Sequence, residues 1–147
     1  MKIQTILVPT DFSEDAAQAV AAARDLAKLL DARVVVVHAY HVDVPVVSPM
    51  AGGYALPTGF YEDLRTHATA QVDEVVKGLV ADGVDATGVV VCEPPAQAIA
   101  EQAEEVSADL VVMGTRGHTG LKHVVLGSVA ERVVRTSPCP VLTVKAS

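Results

Sequence analysis

Short apolar runs alternate with longer helix-patterned segments along the whole of this chain of 147 residues. The runs are rich in valine, isoleucine and leucine without alternating polar residues, which is typical of parallel strands covered on both faces. The predicted strands are Thr5–Val8, Val34–Ala39, Thr87–Cys92, Leu110–Met113 and Val141–Val144, and the predicted helices are Glu14–Leu30, Tyr61–Ala81, Pro95–Val106 and Ser128–Thr136. This alternation indicates a doubly wound α/β fold with helices on both faces of a parallel sheet. At this length we expect a single domain, residues 1–147.

The first predicted helix has the clearest pattern. Ser13 is a suitable N-cap, and the acidic residues Glu14 and Asp15 occupy the first turn, where the helix dipole favours negative charge. The expected buried stripe is Ala16, Val20, Ala23, Ala27 and Leu30.

A glycine-studded segment follows the fourth predicted strand. Its sequence is Gly114-Thr115-Arg116-Gly117, then nine residues, then Gly127-Ser128 at the start of the last predicted helix. Glycine lets a backbone approach a ligand closely, and a helix N-terminus offers N–H groups and a favourable dipole to anions. The cationic or titratable side chains in this segment are Arg116, His118, Lys122 and His123. The segment therefore predicts a phosphate-binding loop.

The spacing of these glycines excludes two common phosphate-binding loops. The segment lacks the Gly-Lys-Ser/Thr ending of a Walker A loop, and no G-x-G-x-x-G follows the first predicted strand. The pattern G-x2-G-x9-G-Ser instead resembles the nucleotide-binding signature of the universal stress protein family, in its ATP-binding subgroup. Ile6 to Ser13 and Ser137 to Val144 resemble the two ends of the same family, so the resemblance spans the whole chain.

The resemblance implies an adenine nucleotide α-hydrolase-like sheet with strand order 3-2-1-4-5. This order puts the first and fourth strands side by side where the strand order reverses, and ligands bind there beyond the carboxyl ends of the strands. The most distinctive loops, Pro9-Thr10-Asp11 and Gly114 to Gly127, follow these two strands. We therefore expect the two loops to form one ATP site, with Mg²⁺ held mainly by the phosphates.

On the base side, the resemblance implies that Asp11 contacts adenine or ribose and that the backbone of Ala39 contacts adenine. A carboxylate near the triphosphate would be repelled, which favours a position for Asp11 beside the sugar or base. Asp11 is alternatively a turn residue before Ser13, because aspartate favours turns. His38, beside Ala39, is interpreted as a packed residue rather than a ligand.

At the end of the fourth strand, Met113 and Gly114 are expected to face base or ribose, although Met113 equally suits a core position. Arg116 and Gly117 are expected to run along the phosphates. N–H groups and a hydroxyl at the start of the last helix complete the predicted site, at Gly127, Ser128, Val129 and Ala130. Ser128 is alternatively, or at the same time, the helix N-cap.

Composition and charge exclude several classes of protein. The net charge of −7 disfavours nucleic acid, whose phosphates an acidic surface repels. The longest apolar stretch, Arg33 to Tyr40, is too short to cross a bilayer, and the first residues lack a signal-peptide core. We therefore expect a cytoplasmic protein that is not inserted in a membrane. Cys92 and Cys139 form no C-x-x-C and are expected to be reduced core cysteines.

The predicted function is nucleotide-dependent regulation. The predicted phosphate loop contains no nucleophile–base pair, so we expect a binding protein and not an enzyme. Slow ATP hydrolysis and nucleotide-independent interaction are the alternatives. A response-regulator receiver is disfavoured because the third strand ends Cys92-Glu93-Pro94, without a phosphoacceptor aspartate. By resemblance, the protein regulates a stress response or a partner such as a membrane transporter.

Two further segments carry predictions about surfaces. Val141–Val144 is the edge strand in this order, and the family's usual arrangement implies a homodimer, or a larger assembly, in which this strand pairs with its copy. Pairing should begin at Val141, because Pro140 lacks an N–H. Residues 41–60 are rich in proline and glycine and are either a lid or partner surface or a solvated insertion.

Overall fold

The computed structural model describes residues 1–42, 56–116 and 126–146. Within them, strands and helices alternate in the order β1 (Thr5–Pro9), α1 (Glu14–Leu30), β2 (Arg33–Tyr40), α2 (Phe60–Ala81), β3 (Ala86–Cys92), α3 (Pro95–Glu105), β4 (Leu110–Gly114), α4 (Ser128–Thr136) and β5 (Val141–Val144). The strands form one sheet in the order β3-β2-β1-β4-β5, with every neighbouring pair parallel. The predicted fold class and strand order are both confirmed.

The strand ends extend slightly beyond the apolar runs that predicted them. β1 continues to Pro9, which pairs with Val37, and β2 continues to Tyr40, which pairs with Cys92. Backbone hydrogen bonding, unlike apolar composition, does not stop at the first polar or aromatic side chain. The sheet is therefore longer at its carboxyl edge than the sequence indicated.

The sheet separates two apolar clusters, one on each face. Alternate residues of β1 illustrate the division, because Ile6 and Val8 pack with α1 and α2 whereas Leu7 packs with α3 and α4. The helices contribute mainly small and branched residues, among them Ala19, Ala23, Val72 and Leu79 on the first face and Ile99, Ala103, Ala130 and Val133 on the second. Both faces are covered, as the continuous apolar strands predicted.

Helix α1 has the predicted cap but a shifted stripe. The Oγ of Ser13 accepts a hydrogen bond from the N–H of Ala16 at 3.2 Å. Ala19 lies in the core, whereas Leu30 is 41% exposed, so the prediction that Leu30 completes the stripe was wrong. Leu30 is the last helical residue before the left-handed cap Asp31, and the helix has passed the core there.

The cysteines depart from the prediction in one respect. Both are free thiols, and Cys139 is half-buried beside the α3–α4 cluster, but Cys92 is exposed. Cys92 ends β3, an outer strand of the sheet, so its apolar neighbours in sequence do not bury it. None of the described helices is long and apolar enough to cross a membrane.

Residues 43–55 and 117–125 lie outside the described residues. The alternatives for the segment 41–60 therefore stay predictions, since most of that segment is in the first gap. The predicted contributions of Gly117, His118, Lys122 and His123 fall in the second gap.

Candidate functional site

The loops after β1 and β4 emerge at the same edge of the sheet. β1 and β4 are neighbours, with Ile6 opposite Leu110 and Leu7 opposite Val111, and both strands run in the same direction. Their ends, Pro9 and Gly114, therefore lie side by side at the point where the strand order reverses. Ala39 lies two residues beyond the partner of Pro9 in β2, so it belongs to the same carboxyl edge.

The loop from β1 into α1 is held by its own side chains. The buried Thr10 accepts a hydrogen bond from the N–H of Phe12 through Oγ1 at 3.0 Å, and its own N–H donates to the Val37 carbonyl at 2.9 Å. Oδ1 of Asp11 accepts from the N–H of Ser13 at 3.0 Å. Asp11 therefore takes the turn geometry given as its alternative role.

Phe12 has a left-handed backbone conformation within this loop, with φ of 63°. For a bulky residue this conformation costs about 1–3 kcal/mol, so surrounding contacts must maintain it. Its ring lies against the imidazole of His38 with centroids 4.6 Å apart, and Nδ1 of His38 lies 2.7 Å from the carbonyl oxygen of Thr10. Because a carbonyl only accepts, Nδ1 carries the proton and donates. His38 is a packed residue, as predicted.

Gly114 gives α1 room to approach the end of β4. A Cβ built on Gly114 would lie 3.0 Å from the backbone carbonyl group of Asp15, closer than side chains normally approach backbone. Met113, one residue earlier, is buried in the α3–α4 cluster, which is the core position given as its alternative. At this strand end the backbone, and not the Met113 side chain, is at the carboxyl edge.

Gly127 closes the end of β4 against the start of α4. Its N–H donates to the carbonyl oxygen of Thr115 at 2.6 Å, and a Cβ on Gly127 would lie 3.0 Å from that oxygen. The φ of Gly127 is −67°, so the glycine is required for a close approach and not for a positive φ. Sequence reasoning identified the glycine but not the backbone contact that demands it.

Helix α4 begins without a side-chain cap. Its N-cap is Gly127, and Ser128 is its first helical residue, so the alternative in which Ser128 caps the helix was wrong. Because Gly127 has no side chain, no N-cap oxygen from the described part of the chain accepts from the N–H groups of the first turn, at Ser128, Val129 and Ala130. Ala130 is buried in the same α3–α4 cluster as Met113, which holds this helix end on the sheet.

Thr115 places a hydroxyl at this helix end. The residue is only 7% exposed, and its Oγ1 is a buried oxygen with no hydrogen-bond partner among the described residues. The Thr115 N–H continues the ladder by donating to Val144 at 3.1 Å, so strand alternation applies. Since Gly114 faces α1, the Thr115 side chain lies on the α4 face of the sheet. Nothing in the sequence indicates this role except the position of Thr115 in the glycine segment.

Arg116 forms an ion pair across the junction of β4 and α1. Its Nε lies 3.3 Å from Oδ2 of Asp15, and the two side chains are 26% and 11% exposed. Asp15 belongs to the first turn of α1, where the helix dipole also stabilises its charge. Sequence reasoning assigned Asp15 only to the helix start, because the contact joins residues that lie far apart in the chain.

The described residues gather no protein site for a metal ion. Within residues 1–42, 56–116 and 126–146, no group of three histidine, cysteine, aspartate or glutamate side chains is arranged to hold one. The groups that the described residues bring to this edge are backbone N–H groups, hydroxyls, the Arg116 guanidinium and the carboxylates of Asp11 and Asp15.

Comparisons with known proteins agree with this fold. The model of the universal stress protein family matches residues 2–145. The universal stress protein MJ0531 of Methanocaldococcus jannaschii is 39% identical over 140 residues, which cover 95% of this chain and 81% of that protein. The structure of MJ0577 from the same organism superposes with a TM-score of 0.85 at 29% identity, covering 100% of this chain and 99% of that one. A universal stress protein solved in complex with cAMP superposes with a TM-score of 0.70 at 30% identity over 100% of both chains.

Proposed function

This chain belongs to the universal stress protein family, and we propose that it binds an adenine nucleotide, ATP in particular, at the carboxyl edge between β1 and β4. The observation that carries the proposal is the uncapped start of α4, where Gly127 closes on Thr115 and the Thr115 hydroxyl is buried without a partner. A phosphate supplies acceptor oxygens for these donors. The similar protein solved with cAMP supports the choice of an adenine nucleotide.

The phosphates belong at the start of α4. The N–H groups of Ser128, Val129 and Ala130 and the Ser128 hydroxyl are the donors there, and Arg116, whose backbone adjoins Gly127, is the cation that we expect to face the phosphates. Gly117 keeps its predicted place along the phosphates, outside the described residues. We expect the phosphates themselves to hold Mg²⁺, because this ion usually keeps substrate phosphates and waters as ligands.

The base and ribose belong at the strand ends. Asp11 directly follows β1 at this edge, and the backbones of Pro9, Thr10, Ala39 and Gly114 line the same edge. Met113 contributes backbone only, since its side chain is in the core. Carbonyl and N–H groups at strand ends can recognise the polar edge of adenine, which gives a basis for discrimination between ATP and GTP.

The protein acts by binding, and we infer that it is a nucleotide-dependent regulator and not an enzyme. The inference rests on the sequence, in which the phosphate loop contains no nucleophile–base pair, and on Asp15, whose carboxylate beside this loop is already paired with Arg116. Slow hydrolysis by positioning alone is the alternative. By analogy with the family, we infer that the protein is cytoplasmic and that it regulates a partner protein such as a membrane transporter.

The outer edge of β5 supports a homodimer. β5 has β4 on one side only, and Leu142 is 42% exposed. The backbone carbonyls of Pro140 and Val144 accept hydrogen bonds from N–H groups of Val111 and Thr115. Because backbone groups alternate in direction along a strand, the N–H and C=O groups of Val141 and Thr143 point away from β4. A second copy can pair with these outward groups across a two-fold axis.

Titration calorimetry with ATP, GTP and adenosine tests the proposal. We expect saturable binding of ATP and weaker binding of GTP. A saturating ligand also raises the melting temperature, because a hundredfold excess over Kd adds about 2.7 kcal/mol to the stability of the native state. If no adenine nucleotide binds and none is released from the denatured protein, the nucleotide-independent alternative replaces this proposal.

A further inference from the structure

The Asp15 carboxylate forms an ion pair with Arg116, the cation that we expect to bind phosphate in the proposed site. We propose that the Asp15 carboxylate competes with the ligand for Arg116, so that binding of a phosphorylated nucleotide exchanges one ion pair for another. The inference rests on the proposed function and adds to it: Asp15 is a specificity-determining residue that weakens the affinity for phosphorylated ligands.

Arg116 lies between the N-termini of α1 and α4, which differ in their capping and acidic side chains. The start of α1 has the Ser13 cap and its own acids, and Asp15 reaches Arg116 from there. The start of α4 has no cap, and a Cβ on Gly127 would lie 3.6 Å from the Arg116 Cα. The arginine backbone is thus beside the anion-accepting helix end while its side chain is paired toward the other helix.

The contact with Asp15 is weak enough to be exchanged. Its Nε–Oδ2 distance of 3.3 Å exceeds the roughly 2.7–2.9 Å of strong charge-assisted hydrogen bonds. Asp15 also keeps a stabilising partner when Arg116 leaves, because the dipole of α1 favours its charge. A phosphate at the start of α4 can accept hydrogen bonds from the helix N–H groups and from the Thr115 hydroxyl. Asp15 lies at the start of α1 and does not occupy these donors.

The exchange predicts a dependence on ligand charge. An uncharged nucleoside leaves the Asp15–Arg116 pair in place, so Asp15 has little effect on its binding. A nucleoside triphosphate must draw Arg116 away from Asp15. Removing the Asp15 charge therefore strengthens ATP binding and leaves adenosine binding unchanged.

The variant Asp15→Asn and the matched control Glu14→Gln test this inference by titration calorimetry. Both remove one negative charge from the first turn of α1, but Glu14 is exposed and makes no ion pair with Arg116. We expect Asp15→Asn to bind ATP about fivefold more tightly, the order of one partly exposed ion pair. Glu14→Gln should change ATP affinity by less than about twofold, since exposed charges are screened. Thermal melting establishes that each variant is folded.

A double-mutant cycle with Arg116→Gln separates exchange from general repulsion. Asp15→Asn should strengthen ATP binding only while Arg116 is present. Unchanged or weaker ATP binding by Asp15→Asn, an equal gain from Glu14→Gln, or a gain that persists in Arg116→Gln would each overturn the inference alone. Absence of ATP binding by wild type and by Asp15→Asn overturns the proposed function with it, whereas binding by Asp15→Asn alone supports the competition.

Discussion

The N–H of Gly127 donates to the carbonyl oxygen of Thr115 at 2.6 Å and joins the start of α4 to the end of β4. This contact fixes the uncapped helix end relative to the strand ends, and it leaves no room for a side chain on Gly127. The position of the proposed phosphate site therefore depends on a backbone contact between two residues of the glycine segment.

Replacing Gly127 should remove nucleotide binding. In Gly127→Val the new Cβ meets the Thr115 oxygen at 3.0 Å, so the helix start must move away from β4. We expect loss of ATP binding by calorimetry together with a lower melting temperature. The control is Gly78→Ala in α2, where a Cβ meets nothing within 4 Å. That change should raise stability by about 1 kcal/mol, the preference for alanine over glycine in a helix, without affecting ATP. Normal ATP binding by Gly127→Val would contradict the assignment.

Removing the guanidinium of Arg116 should weaken ATP binding. A hydrogen bond to a charged group contributes about 1.5–3 kcal/mol, and part of that is offset here because Arg116 leaves Asp15. We expect Arg116→Ala to lower ATP affinity about tenfold in calorimetric titrations. Arg24→Ala serves as the control, because it also removes one positive charge, here from two surface ion pairs with Asp25 and Asp82. Equal affinities for Arg116→Ala and wild type would exclude Arg116 from the phosphate site.

The carboxylate of Asp109 should make stability depend on pH. Oδ2 accepts from the N–H groups of Gln4 at 2.8 Å and Thr5 at 3.0 Å, which holds the pKa of Asp109 below its ordinary value of 3.8. Because the folded pKa is the lower one, this stabilisation is present above pH 3.8 and is lost as pH falls through the folded pKa.

Urea unfolding of Asp109→Ala measures that contribution. The variant should be less stable than wild type at neutral pH, and the difference should shrink below the ordinary pKa of aspartate. A difference that stays constant with pH would show that the Asp109 charge is not involved. Nucleotide binding should be retained, because Asp109 contacts the amino end of β1 and not its carboxyl edge.

Dimer formation should depend on the outward N–H groups of β5. Thr143→Pro removes an N–H that faces away from β4, so we expect a folded monomer by light scattering. Leu142→Pro removes an N–H that faces β4, so we expect a marked loss of stability instead. A wild-type monomer at micromolar concentration would contradict the proposed dimer.

The sequence predicted the fold better than the site. Strands are marked by local sequence patterns, whereas the site depends on contacts between residues that lie far apart in the chain. Continuous apolar runs mark strands covered on both faces, and the family resemblance supplied their order. Exposure at Cys92 was not predictable from its apolar run, since only the sheet order makes β3 an edge strand.

Residues of the candidate site could be proposed from the sequence only where a local motif marks them. The glycine segment identified Gly114 and Gly127, but the reasons for these glycines are contacts with Asp15 and Thr115 that only tertiary packing creates. The pairing of Asp15 with Arg116 follows from the neighbouring positions of α1 and β4. No periodicity in the sequence indicates such a contact.

Backbone amide NMR during an ATP titration locates the nucleotide on the protein. ATP bound between β1 and β4 should change the chemical shifts of Arg116 and of the first residues of α4, Ser128, Val129 and Ala130, with little change at Gly78 in α2. Saturable shifts confined to another surface, or no shifts at the start of α4 at saturating ATP, would show that the nucleotide does not bind there.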